Sequence, residues 1–165
     1  MKFQGKKFSF SVVKKKLPNG RTADVDVIEH PGAVVIIPFL SRDVIIFLHQ
    51  YRPVLSRYLL ELPAGTLNKG EQPLACARRE LIEETDHKGR VFTRLGKIYP
   101  VPGYSTEVIH IFKAQKLTPQ AGIKDTDEII RTKPLRRSEV RKLFRAGGIT
   151  DAKTIAALSF CGWLF

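Results

Sequence analysis

The sequence predicts an α/β fold, a mixed β-sheet with helices packed on its faces. Three observations carry this. Two apolar, β-branched runs, "GAVVIIPFL" and "DVIIFLHQYR", stand on either side of the polar turn Ser41-Arg42-Asp43, the pattern of buried strands. A helix follows in which Leu74, Ala77 and Leu81 recur at i, i+3 and i+7 and form an apolar stripe. The chain closes on a second apolar helix, fit to pack on a sheet, and strand-like runs outnumber and flank the helical ones.

The elements follow in order. "FSFSVVKKKL", "PNGR" and "TADVDVIEH" read as strand, turn and strand, an N-terminal hairpin within residues 1–30. The two buried strands come next. "RYLLELPAG" is a third short run that ends in Pro-Ala-Gly, and the loop "TLNKGEQ" leads to the helix. Pro73 suits the first helical turn, where a missing N–H costs nothing, and Lys88-Gly89 offers a C-terminal stop. "RVFTRLGKIYP" and "EVIHIFKAQKL" read as two more strands, and residues 120–128 as an acidic polar loop. Ser138 to Ala146 reads as a short helix closed by Gly147-Gly148, and Asp151 caps the last one, "AKTIAALSFCGWLF". With no internal repeat or low-complexity linker, residues 1–165 read as one domain, whose length allows a substantial core.

Composition narrows the function classes. No stretch of 18 apolar residues occurs, so no membrane span is expected, and the charged N-terminus lacks the apolar region of a secretory signal. Cys76 and Cys161 form no C-x-x-C pair and join no Cys/His cluster, which points to a reduced, cytoplasmic protein without structural zinc. The net charge of +12 creates a field that attracts anions. Basic residues concentrate near the start and in residues 131–145. A solvated surface, a nucleic-acid contact and attraction of a phosphate-rich substrate all fit that charge, but no recognised nucleic-acid-binding motif is present.

The stretch "RRELIEET", residues 78–85, carries the chemistry. On a helix Glu80, Glu83 and Glu84 share one face, and like charges at that spacing repel by roughly 0.2–0.5 kcal/mol per pair. A hard divalent cation, which prefers oxygen ligands, would turn the repulsion into mutual screening. The alternative is a surface helix with an Arg79–Glu83 ion pair. The wider pattern decides between them. Gly65, Glu71, Arg79, Glu80, Leu81, Glu83 and Glu84 match G-x5-E-x7-R-E-U-x-E-E at every position. The sequence therefore resembles the Nudix hydrolases, whose box this is. The family's next Gly and apolar residue are replaced by Asp86 and His87. This puts the end of the helix in question and leaves the carboxylates untouched; His87 reads as a surface residue.

The resemblance implies an α/β/α sandwich and metal-dependent cleavage of a nucleoside diphosphate linked to another group. "HQYRP", "ELPAG", "VPGYSTE" and "GGITDAKTIAAL" are similar to the ADP-ribose pyrophosphatase group, so likeness covers most of the chain. It implies hydrolysis of ADP-ribose to AMP and ribose 5-phosphate with Mg²⁺ or Mn²⁺. By the same resemblance Glu80 and Glu84 are the main metal ligands, supported by Glu83 and the Ala64 carbonyl. Arg79 orients the box through ion pairs, and Glu71 buttresses its loop. The general base is expected on the acidic loop, with Glu128 the candidate, Asp125 and Asp127 substitutes, and Glu83 the fallback within the box. Arg52 suits a phosphate or a structural salt bridge. Glu61, Pro102 and Gly103 join it as substrate-side candidates, Glu107 is placed to orient a ribose hydroxyl or a metal-bound water, and Tyr51, Tyr99 and Tyr104 are available to stack on adenine. The group is typically homodimeric through its N-terminal strands, so a homodimer is expected. Another nucleoside diphosphate sugar is the nearest alternative substrate, and an RNA-facing role, as 5′-end pyrophosphohydrolase or binding module, is less favoured.

Overall fold

The computed structural model describes residues 2–5, 8–123 and 129–164. Its centre is a seven-stranded mixed sheet. Strands β4 (Ala33–Ser41) and β5 (Val44–Arg52) are the two apolar runs, joined through the tight polar turn. β6 (Arg57–Glu61) pairs antiparallel with β5, and β7 (Ala64–Thr66) with β4. β8 (His87–Ile98) and β9 (Ile109–Pro119) form a long antiparallel pair, and β9 lies parallel to β4. β10 (Ile130–Arg136) runs antiparallel to β5 at the other edge.

The alternation along β4 shows why its sequence is apolar throughout. Val34 and Ile36 pack with Cys76, Ala77 and Leu81 of helix α1 (Pro73–Thr85). Val35, Ile37 and Phe39 point the other way. They pack with Val140 of α2 (Arg137–Arg145), with Ala157 and Leu158 of α3 (Ala152–Phe160), and with Trp163. A strand covered on both faces has no polar side to show. Phe39 meets Trp163 edge-on at 5.4 Å. The result is the α/β/α sandwich that the sequence suggested.

Several local expectations change. A short strand, β1 (Lys2–Gln4), joins the hairpin of β2 (Ser9–Lys16) and β3 (Thr22–Glu29), so the N-terminal unit is a separate three-stranded sheet. The hairpin turn is as read, with Gly20 at φ +80°. The stretch 130–136 is a strand and not merely a basic segment. Its Pro134 is tolerated because β10 is an edge strand. Helix α1 stops at Thr85, not at Gly89. Asp86 takes the left-handed conformation (φ 56°) and returns its N–H to the Ile82 carbonyl, so the chain enters β8 at His87. Leu74 has the phase of the core stripe but lies in the first turn and is 38% exposed, while Cys76 takes a buried place.

Candidate active site

One pocket of about 1050 Å³ gathers most of the expected site. Ala64, Gly65, Arg79, Glu80, Glu83, Glu84, Arg52 and Glu107 line it, as do Gln50, Lys69 and Lys153. In this pocket α1 brings the carboxylates, β7 the backbone turn, β5 Gln50 and Arg52, and α3 Lys153.

Gly65 sets the distance between β7 and α1. A Cβ at this position would lie 1.8 Å from Glu80 Oε1, so only glycine lets the helix carboxylate come this close. Glu84 is buried and accepts a 2.8 Å hydrogen bond from the Ala64 N–H. Arg79 answers the repulsion question. Its guanidinium donates to both Glu71 oxygens at 3.0 Å, to Glu80 Oε1 at 2.6 Å and to Glu83 Oε2 at 2.9 Å. This network, helped by the Asn68 N–H, holds the Glu71 carboxyl down at about 2 and pushes Arg79 above its ordinary range. Cys76 lies beneath, accepting from Arg79 at 3.3 Å, and burial pushes its thiol up to about 12, so it is no nucleophile at neutral pH.

Among the described residues, no three His, Cys, Asp or Glu side chains converge on one point as a closed metal cage requires. Here Arg79 donates to Glu80 and Glu83, and Glu84 accepts from the Ala64 N–H. The donor set still fits a hard divalent cation. It offers three carboxylates on one helical face, all lining the pocket, beside a glycine that leaves room for them.

Other expected residues fall elsewhere. Glu61 lies behind the wall, 1% exposed, with both oxygens engaged by Arg52 at 2.7 and 2.6 Å and one also by Lys153. Burial alone would raise its pKa, yet these two cations hold it below the ordinary carboxylate range. Arg52 thus makes the structural salt bridge while still lining the pocket. Pro102 and Gly103 occupy an exposed turn and do not line the pocket, and neither do Tyr51, Tyr99 and Tyr104. That turn is nevertheless tied down. The Ile28 N–H donates to the Tyr104 carbonyl at 2.7 Å, and His30 N–H to Thr106 Oγ1 at 2.9 Å, which fixes Glu107 beside His30. His87 is half-buried, its Nδ1 2.6 Å from the Thr85 carbonyl. Glu128, Asp125 and Asp127 lie outside the described residues.

Lys153 was missed in the sequence. The run Asp151-Ala152-Lys153-Thr154 wires the start of α3 to the end of β6. Asp151 caps the helix by accepting from the Thr154 N–H, Thr154 Oγ1 accepts from the Leu62 N–H at 2.8 Å, and Lys153 reaches Glu61. A signal was available: a lysine in a helix's first turn opposes the macrodipole and calls for a reason to be there.

With this geometry in place, the comparisons agree. The family model for the NUDIX domain matches residues 29–158. The chain is 34% identical over 160 residues to an ADP-ribose pyrophosphatase of Bacillus subtilis, covering 96% of this chain and 86% of the relative. A methanol dehydrogenase activator of Bacillus methanolicus is 34% identical over 161 residues, with the same coverage. Among solved structures, an ADP compounds hydrolase superposes with a TM-score of 0.82 at 24% identity, covering 98% of this chain and 88% of that one, a likeness of fold. The chain therefore belongs to the Nudix family, as a Nudix pyrophosphohydrolase that resembles the ADP-ribose pyrophosphatases.

Proposed function

We propose that this protein hydrolyses the pyrophosphate bond of ADP-ribose, giving AMP and ribose 5-phosphate, with Mg²⁺ or Mn²⁺ held by Glu80, Glu83 and Glu84. The observation that carries the reading is the pocket itself. It joins the carboxylate face of α1 to a group of cations, Arg52, Lys69 and Lys153, in a space large enough for a nucleotide sugar. A divalent cation, when bound, supplies an activated water and screens the phosphate oxygens.

The chain's own residues divide the remaining work. Arg79 orients Glu71, Glu80 and Glu83 through its ion pairs. Glu107 is fixed to meet a ribose hydroxyl, since the Ser105 Oγ accepts from its N–H and His30 stands beside its carboxylate. Glu128 is the proposed base. Ile123 and Ile130, on either side of its segment, both line the pocket, which supports this placement. Gly122 is anchored on the end of α1 by a 3.1 Å bond from its N–H to Asp86 Oδ1.

The test is a substrate panel of ADP-ribose, ADP-glucose, GDP-mannose and UDP-glucose, with Mg²⁺, with Mn²⁺ and with excess chelator. ADP-ribose should give the highest kcat/KM, and chelator should abolish turnover. Full activity in chelator would overturn the metal role. A different sugar in first place would move the protein to the neighbouring specificity. Glu128→Gln should lower kcat by ~10²–10⁴-fold at saturating metal, the usual general-base contribution. Loss in Asp125→Asn or Asp127→Asn instead would move the base, and full activity in all three would favour Glu83.

A further inference from the structure

Glu61 is bonded to two cations where a structural ion pair requires one. A buried carboxylate needs one good cation, and Arg52 already binds it with two hydrogen bonds. Lys153 is added from a helix 92 residues away. Asp151 then shares that lysine, accepting from it at 2.9 Å. Among the described residues, donors remain on both cations. Two of the five guanidinium N–H groups of Arg52 go to Glu61, and Lys153 gives two of its three to Glu61 and Asp151. Both side chains line the pocket while the carboxylate that joins them does not. A pair meant only for stability would have no reason to present both cations to the same cavity.

We propose that Lys153 joins Arg52 as the second cation of a clamp for a phosphoryl oxyanion of the substrate, and that Glu61 is the positioning residue that fixes the spacing between them. The clamp rests on the reading that a nucleoside diphosphate occupies this pocket. It assigns α3 a part in substrate binding: its first turn delivers one of the two cations. The cap by Asp151 and the Thr154 bond to Leu62 keep that turn in register with Glu61. The ionised state of Glu61 is secured by the same two partners.

The test uses the full chain and inorganic pyrophosphate with Mg²⁺, titrated by calorimetry. Lys153→Gln keeps a hydrogen-bond donor toward Glu61 and removes the charge. Its pyrophosphate affinity should fall about tenfold or more, the range for a lost charge-assisted bond, while Lys153→Arg stays within about threefold of wild type. In turnover, Lys153→Gln should raise KM with kcat nearly unchanged, the mark of lost uniform binding. Glu61→Gln should weaken pyrophosphate as well, although it leaves both cations in place. If Glu61→Gln does not fold, Lys153→Gln decides alone. Wild-type pyrophosphate affinity in Lys153→Gln, with only its Tm lowered, would overturn the clamp, as would a wild-type protein that fails to bind pyrophosphate. Absence of turnover on every nucleotide sugar would overturn the substrate reading separately, since pyrophosphate affinity judges the clamp without catalysis.

Discussion

Each residue of the site is held by a specific neighbour, and the neighbour predicts what its loss does. Gly65→Ala would push a methyl group into Glu80, whose Oε1 lies 1.8 Å from that position. Displacing a catalytic group by about 1 Å costs on the order of 100-fold. Kcat at saturating metal should fall by that order while the protein stays folded by circular dichroism. Glu71 makes a prediction in pH. Its carboxyl titrates near 2 in the folded state, against an ordinary value of 4.5, because Arg79 donates to it. A depressed carboxylate stabilises the fold fully above its unfolded value and loses that contribution as pH falls from about 4.5 toward 2. Glu71→Gln should therefore cost on the order of 2–3 kcal/mol at pH 7, and the gap in Tm from wild type should shrink at pH 3. These residues were legible in the sequence because the box fixes them within twenty positions of one another. Lys153 was not. Its partner Glu61 is far away in sequence, and only the pairing of α3 with the end of β6 brings them together.

At the scale of elements, the end of α1 is the instructive case. The sequence lacks the family's glycine there and leaves the stop open between Asp86 and Gly89. The structure places the stop at Asp86, because this side chain repays a left-handed backbone by accepting from Gly122 N–H at 3.1 Å. Gly122 in turn has no room for a Cβ, which would lie 2.4 Å from the Ile82 carbonyl. Asp86→Ala removes the bond and keeps the strained φ, so it should cost about 2 kcal/mol. At ~2–4 °C per kcal/mol for a chain of this size, its Tm should drop by about 4–8 °C, and Asp86→Asn should stay near wild type. The buried strands were legible because a strand covered on both faces must be apolar. β10 was not, since an edge strand is free to carry Arg131, Lys133 and Pro134, which stood out only as part of a basic segment.

For the whole molecule, the mixed sheet with helices on its faces followed from the apolar patterning, and the family resemblance implied the α/β/α sandwich. The N-terminal unit was only half legible. β1 is three residues long, too short for a periodic signal, and it is recognisable only by its pairing with β2. The small sheet leaves Phe3, Phe8, Phe10, Val12 and Leu17 exposed, an apolar surface that a monomer has little reason to keep. We expect a homodimer through this sheet. Light scattering at micromolar concentration should give twice the chain mass, and replacing Phe3 and Phe10 with Ser should halve it. A monomeric wild type would remove this reading.

The guanidinium of Arg79 has one more consequence, for the order in which the enzyme assembles itself. It supplies the acidic face of α1 with a counter-ion from the chain's own sequence, at 2.6 Å from Glu80 and 2.9 Å from Glu83. The helix can therefore fold with part of its repulsion already screened, and a divalent cation bound at this face would compete with an arginine. Folding and metal loading would then be separate events, unlike those of a domain whose core is its metal. Excess chelator should abolish turnover and leave the melting temperature within a few degrees of its starting value.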